Sequence, residues 1–123
     1  MKQMNVTQVQ KHQIHGEWEA NTYIPLGPEY DNEDGMRVLK VHTYKAMGRN
    51  KIVTDCRVWS LSPDGIGEVT VFFQDYQQKL DLAEGRCTEK NVKASHDRGL
   101  MLVPEFLEAA KAHCLAQAAK EVA

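Results

Sequence analysis

Met36-Arg-Val-Leu-Lys-Val-His-Thr-Tyr-Lys-Ala-Met47, Lys51-Ile-Val-Thr-Asp-Cys-Arg-Val-Trp-Ser-Leu61 and Gly67-Glu-Val-Thr-Val-Phe-Phe-Gln-Asp75 are three strand-like runs joined by two short turns, and they decide the fold. All three are rich in β-branched and aromatic residues that alternate with polar ones, the period of a half-buried strand. Between the second and third, Ser62-Pro63-Asp64-Gly65 is a strong turn: proline pre-sets φ at the second position, and glycine accepts the positive φ that closes a hairpin. Gly48-Arg49-Asn50, between the first and second, offers two residues that tolerate left-handed geometry. The expectation is an antiparallel meander.

Closing the first hairpin with Met47 opposite Lys51, and the second with Ser62 opposite Ile66, assigns every side chain to a face. One face then carries Leu39, Val41 and Thr43 with Trp59, Arg57 and Asp55, and with Val69, Val71 and Phe73 from the third strand. The other carries Val38, Lys40, His42 and Tyr44 with Ser60, Val58, Cys56 and Thr54, and with Glu68, Thr70, Phe72 and Gln74. The first set is the more apolar and is expected to meet the core. A bulge in either hairpin would exchange parts of these sets.

Outside the meander, residues 6–24 read as one or two further strands. Trp18, Ala20, Thr22 and Ile24 alternate cleanly, and Gly16-Glu17 suits a tight turn. Residues 25–35 hold two prolines, two glycines and four acids, and read as a surface loop. Tyr76 to Ala83 alternates enough to extend the third strand, so the meander covers 36–83, and Glu84-Gly85 reads as a turn. Cys87 to Ser95 fits a fourth strand or a short polar helix starting at Thr88, and His96-Asp97-Arg98-Gly99 reads as a turn or a helix stop. A helix is expected over 104–121. Pro104 is tolerated in a first turn, Glu105 and Glu108 suit the positive end of the dipole, and Phe106, Leu107, Ala110, Cys114, Ala118 and Val122 form one stripe. The fold class is therefore α+β: an antiparallel meander of four to six strands with a C-terminal helix packed on one face.

At 123 residues the chain forms one domain, long enough for a single core. A net charge of −2 names no partner, but charge is uneven. Residues 1–35 carry two lysines against six acids, a net of −4, and residues 36–60 carry six basic residues against Asp55 alone, a net of +5. Lysine and arginine on strands also discourage edge-to-edge pairing, which is the simpler account of the basic block. Three widely spaced cysteines argue against a disulfide framework or a zinc site and make a reducing cytosol the default. The N-terminus has no apolar core of a secretory signal, and nothing approaches the length of a membrane span.

Several residue groups could carry chemistry. Asp55 and Arg57 sit two apart on the central strand, facing the core in this register, where a charge needs a partner because losing its hydration is expensive. They would form either an internal ion pair or the charged floor of a cavity. His96-Asp97-Arg98 combines an imidazole, a carboxylate and a guanidinium, but no nucleophile elbow, zinc pair or phosphate loop accompanies it. His12, His15 and His42 lack a metal-ligand spacing, and Asp31-Asn32-Glu33-Asp34-Gly35 lacks the alternating ligands and closing glutamate of a calcium loop. Neither a metal nor a cofactor is expected, and no catalytic residue is assigned.

The polar sheet face offers a contact surface. Lys40, His42, Tyr44 and Phe72 lie near one another there, and tyrosine and phenylalanine are frequent interface anchors. Glu29, Asp31, Glu33 and Asp34 crowd one loop and could engage a basic groove, including one that otherwise holds nucleic acid. These features favour a small cofactor-free intracellular binding protein acting through protein–protein contacts. It would suit a regulator or inhibitor of a larger, nucleic-acid-handling machine, of the kind mobile elements carry. The alternatives are a nucleic-acid-binding sheet and, third, a small hydrolase-type enzyme in which Asp55, Arg57 and His96 converge.

Overall fold

The computed structural model describes residues 4–31, 35–46, 48–62, 68–70 and 77–122, without the side chains of 68–70, 77 and 117–122. Where polar and apolar residues alternate, strands form: β1 (Gln8–Lys11), β2 (Trp18–Pro25), β3 (Met36–Lys45), β4 (Lys51–Leu61), β5 (Glu68–Thr70) and β6 (Gln77–Glu84). They build one antiparallel sheet in the order β1-β2-β3-β4-β5, and β6 continues along the β4 edge that β5 begins. Two helices follow, α1 (Glu89–Leu100) and α2 (Val103–Val122), and both pack on the same face of the sheet. The fold is α+β.

The register differs from expectation by one residue in each hairpin. Ala46, not Met47, lies opposite Lys51, with the Lys51 carbonyl accepting from the Ala46 N–H at 2.9 Å. The connection is therefore four residues, 47–50, rather than three. Arg49 N–H closes a turn on the Ala46 carbonyl at 3.3 Å, with Gly48 at φ 72°. Lys40 then faces Arg57, His42 faces Asp55 and Val38 faces Trp59. The second hairpin slips in the same way, with Leu61 opposite Glu68; the residues of its turn, 63–67, lie outside the described ones. A slip of one residue turns a whole strand over. Leu39, Val41 and Thr43 keep their inward place, but β4 now sends Val58, Cys56 and Thr54 to the core and Asp55, Arg57 and Trp59 to the opposite face.

Under the helices, Leu39, Val41, Cys56, Val58 and Leu80 meet Val103, Ala110 and Cys114, with Phe106 and Leu107 partly buried beside them. Burying a side chain such as Leu39 contributes roughly 1.5–3 kcal/mol. Leu80 reaches this core because the β4–β6 pairing shifts between Thr54 and Asp55, leaving Leu80 as the extra residue of a bulge.

Of the stretch 87–98, Glu89 onward is helix and Thr88 is its N-cap, so the helical alternative was the right one. Thr88 Oγ1 accepts the Asn91 N–H at 3.1 Å, and Glu89 and Arg98 complement the dipole at the two ends. His96-Asp97-Arg98-Gly99 is thus not a free turn but the last turn of α1, which stops one residue later at Leu100. Gly99 lies inside α1 because a Cβ there would sit 2.6 Å from Thr54 Cγ2, so the missing side chain lets the helix touch the sheet. The expected C-terminal helix is confirmed and runs one residue longer at each end. The β1–β2 turn spans His12 to Glu17 rather than the two residues expected, with Lys11 opposite Trp18 and the His12 N–H donating to the Glu17 carbonyl at 2.8 Å.

Candidate functional site: an aromatic and charged cleft on the sheet face opposite the helices

Opposite the helices, one strand face brings together Lys40, His42 and Tyr44 from β3 with Asp55, Arg57 and Trp59 from β4. These six residues line an open cleft of about 310 Å³. Two groups that sequence reasoning kept on opposite faces, the Lys40/His42/Tyr44 set and the Asp55/Arg57 pair, therefore share one surface. Phe72, the fourth member expected there, lies outside the described residues.

Asp55 is only 4% exposed, and its carboxylate accepts a 2.7 Å hydrogen bond from the Tyr44 hydroxyl. Burial, followed by this bond, pushes the Tyr44 phenol up to about 12, so it donates a hydrogen bond and holds its proton. Its ring packs 4.7 Å from that of His42, whose Nε2 lies 3.7 Å from the Glu19 carboxylate of β2. Burial lowers the His42 pKa, reinforced by Lys40 and opposed by Glu19 and Asp55, and the imidazole is neutral at pH 7. The Lys40 ammonium lies 4.4 Å from the centre of the Trp59 ring and 5.4 Å from that of Tyr23, so two aromatic faces position it. Arg57 stands directly opposite Lys40 across the strand pair, half-buried, and makes no hydrogen bond or ion pair to another described residue. Asp55 and Arg57 are thus not an ion pair: Asp55 is engaged by Tyr44.

The apolar end of this face is a second small cluster, in which Tyr23, Val38 and Leu61 are buried with Met4 and Trp59 against them. The N-terminal segment reaches it through a bridge of Met4 to Tyr23 and a 2.7 Å hydrogen bond from the Asn5 N–H to the Tyr23 carbonyl. Trp59, Tyr23 and Glu19 were missed as site residues. Strand alternation could have found Glu19 and Tyr23, which face away from Ala20 and Thr22; Trp59 required the correct hairpin length.

His96 is on the other side of the sheet, fully buried under α1 and bonded to Thr22 and Thr43 at 2.7 Å each. The arrangement needed for a hydrolase using Asp55, Arg57 and His96 is therefore absent. His12 and His15 stack at 4.7 Å in the β1–β2 turn, two strands away from His42, and no group of metal-binding side chains occurs among the described residues. Of the acidic loop, Glu29 and Asp31 are exposed around a short 3-10 turn, Pro28–Tyr30; Glu33 and Asp34 lie outside the described residues. Asp31 also has a local task, accepting the Arg37 N–H at 3.0 Å. Burial raises the pKa of all three thiols, Cys56 to about 12, so none is an activated nucleophile. No described helix is long and apolar enough to cross a membrane.

The cleft has donors, acceptors, two cations and aromatic faces, but its phenol and imidazole are held in their neutral forms at pH 7. No protein-family model, curated protein or solved structure matches the chain.

Proposed function

We propose that the protein is a small binding protein that acts through protein–protein contacts, with the sheet face opposite the helices as its contact surface and the cleft as its anchor pocket. The observation that carries this reading is the meeting of Tyr44, Arg57 and Trp59 in one concavity. Tryptophan, tyrosine and arginine are the residue types that dominate binding energy at protein interfaces, because each combines a large contact area with directed polar atoms. A role as regulator or inhibitor of a larger assembly, and a reducing cytoplasmic setting suggested by three free cysteines, belong to the same proposal. So does a second contact through Glu29, Asp31, Glu33 and Asp34.

The test is affinity capture from the cells that make the protein, comparing the parent with Arg57→Glu and with Lys93→Glu, an exposed site on α1. The reading expects a partner that Lys93→Glu retains and Arg57→Glu loses. Equal capture by both variants would overturn it.

A nucleic-acid reading has one observation in its favour, the adjacent Lys40 and Arg57 beside the Trp59 ring. Glu19 and Asp55 on the same face oppose a polyphosphate, and the reading requires affinity that falls steeply with salt.

A further inference from the structure

Strand β6 is an edge of the sheet: β4 pairs with one side of it, and no described strand pairs with the other. With eight residues against four, it is twice the length of β1, the edge at the far end. Unpaired N–H and C=O groups along such an edge are a template for another strand. The bulge decides which side chains flank them. Leu80 enters the core and Asp81 turns to Ser95 and Arg98 of α1, so two successive residues point to the helix side. On the opposite face the order along β6 is then Lys79, Leu82 and Glu84, all exposed. Leu82 is 53% exposed, beside the buried Val53 of β4. Asp55 and Lys51 stand opposite Lys79 and Glu84 on β4, yet neither Lys79 nor Glu84 makes a hydrogen bond or ion pair to another described residue.

We propose that β6 is a self-association edge, on which a second copy of the chain pairs its own β6 antiparallel about a twofold axis through Leu82. The order of side chains makes this pairing self-complementary. With Leu82 opposite Leu82 of the second copy, Lys79 meets Glu84 of the second copy at one end, and Glu84 meets its Lys79 at the other. The two exposed leucines cover one another, and the open backbone groups gain partners. A lysine and a bulge discourage an edge from pairing with strands at large. Here they select one register: a shift along the strand sets Leu82 against a charge, and a slip of one residue turns the face over. Because the axis stands normal to the sheet, the faces opposite the helices point the same way in both copies. Their two clefts then open on one side of a continuous sheet, with the β4 strands three spacings apart, about 14 Å. That arrangement is bivalent, whatever each cleft binds.

Sedimentation velocity of the intact protein, from micromolar to millimolar concentration, reads the monomer–dimer equilibrium. The parent should dimerise. Lys79→Glu and Glu84→Lys each set like charges opposite one another at both ends of the pairing, and each should raise the dissociation constant by about tenfold or more. An equimolar mixture of these two variants should recover the dimer, because every facing pair is then again of opposite charge. Both positions are exposed, and undisturbed dispersion in the amide spectra checks that the variants fold. Leu82→Lys should abolish association. A parent that stays monomeric throughout, a dimer that neither charge variant weakens, or a mixture of folded variants that fails to recover it would each overturn the edge. Species larger than a dimer would overturn the closed twofold pairing.

Discussion

His96 Nδ1 lies 2.7 Å from Thr43 Oγ1, and at this contact the imidazole is the donor. The direction follows from counting protons. Asp81, a carboxylate gripped by Arg98, can only accept, so the Ser95 hydroxyl donates to it at 2.7 Å. Ser95 has no second proton, so Thr54 donates to Ser95 at 3.0 Å, and Thr43 donates to Thr54 at 2.6 Å. The Thr43 oxygen must then accept from His96. Nε2 is left to accept from Thr22 at 2.7 Å, and Thr22 accepts from Thr7 at 2.8 Å. One ionised carboxylate at the edge of α1 thereby sets the tautomer of a histidine in the core. Both ring nitrogens of His96 thus have a partner in this series of hydrogen bonds, which is why a histidine is tolerated there at all.

Stability should fall between pH 6.5 and about 4. Burial, with smaller contributions from Asp97 against it and His42 with it, lowers His96 to about 4 from its ordinary 6.5. Over that range the unfolded chain binds a proton that the folded protein refuses, so stability is complete above 6.5 and declines as pH falls through 4, by about 3 kcal/mol. His42, also lowered, acts in the same direction. Burial alone would raise Asp81, but the Arg98 and Ser95 hydrogen bonds outweigh it and lower the pKa below 3.8, so its loss comes at more acid pH. Urea midpoints of the parent and His96→Gln across this range isolate the histidine. A parent curve no steeper than the variant's would contradict the assignment.

Thr43→Val should destabilise by about 1–3 kcal/mol although the shapes match. It leaves the His96 Nδ1–H without an acceptor and Thr54 Oγ1 without a donor in a dry core. Chemical unfolding measures the loss. A neutral substitution would show that the chain of donors contributes nothing.

Much of this architecture is legible in the sequence. Alternation in Trp18 to Ile24 and in Leu39 to Thr43 places those side chains correctly, and Pro104 with the Phe106–Cys114 stripe marks α2. The register was not legible, because Met47 can end a strand or begin a turn, and one residue of loop length separates the two outcomes. Helix α1 was obscured by its own function: His96 and Gly99 read as a turn or helix stop and Ser95 as the end of a strand or a short helix, yet these three are the residues that bond and touch the sheet. The cleft inherits the register error. Its β3 half, Lys40, His42 and Tyr44, was expected on this face, whereas its β4 half was assigned to the core.

Gly99→Ala should cost about 1–3 kcal/mol through overpacking, less up to about 1 kcal/mol regained from helix propensity. The new methyl would meet Thr54 Cγ2 and Leu80 Cβ, and Thr54 is held by two hydrogen bonds. Amide exchange in α1 should quicken alongside the lower urea midpoint. A stabilised variant would mean that α1 stands further from the sheet.

Leu39→Ala should lower stability by about 2–5 kcal/mol, as a fully buried residue between sheet and helices. Trp59→Ala should cost less than Leu39→Ala, because Trp59 is only partly buried, on the face opposite the helices. Urea unfolding of the two variants under one set of conditions decides the order. The reverse order would return Trp59 to the core.

Which face carries Arg57 decides everything argued for the cleft, and nuclear Overhauser contacts between the backbones of β3 and β4 measure it most directly. The account predicts cross-strand contacts that pair Lys40 with Arg57 and His42 with Asp55. Contacts pairing Leu39 with Trp59 and Val41 with Arg57 would contradict it, for Arg57 would then lie under the helices and the opposite face would have no such anchor.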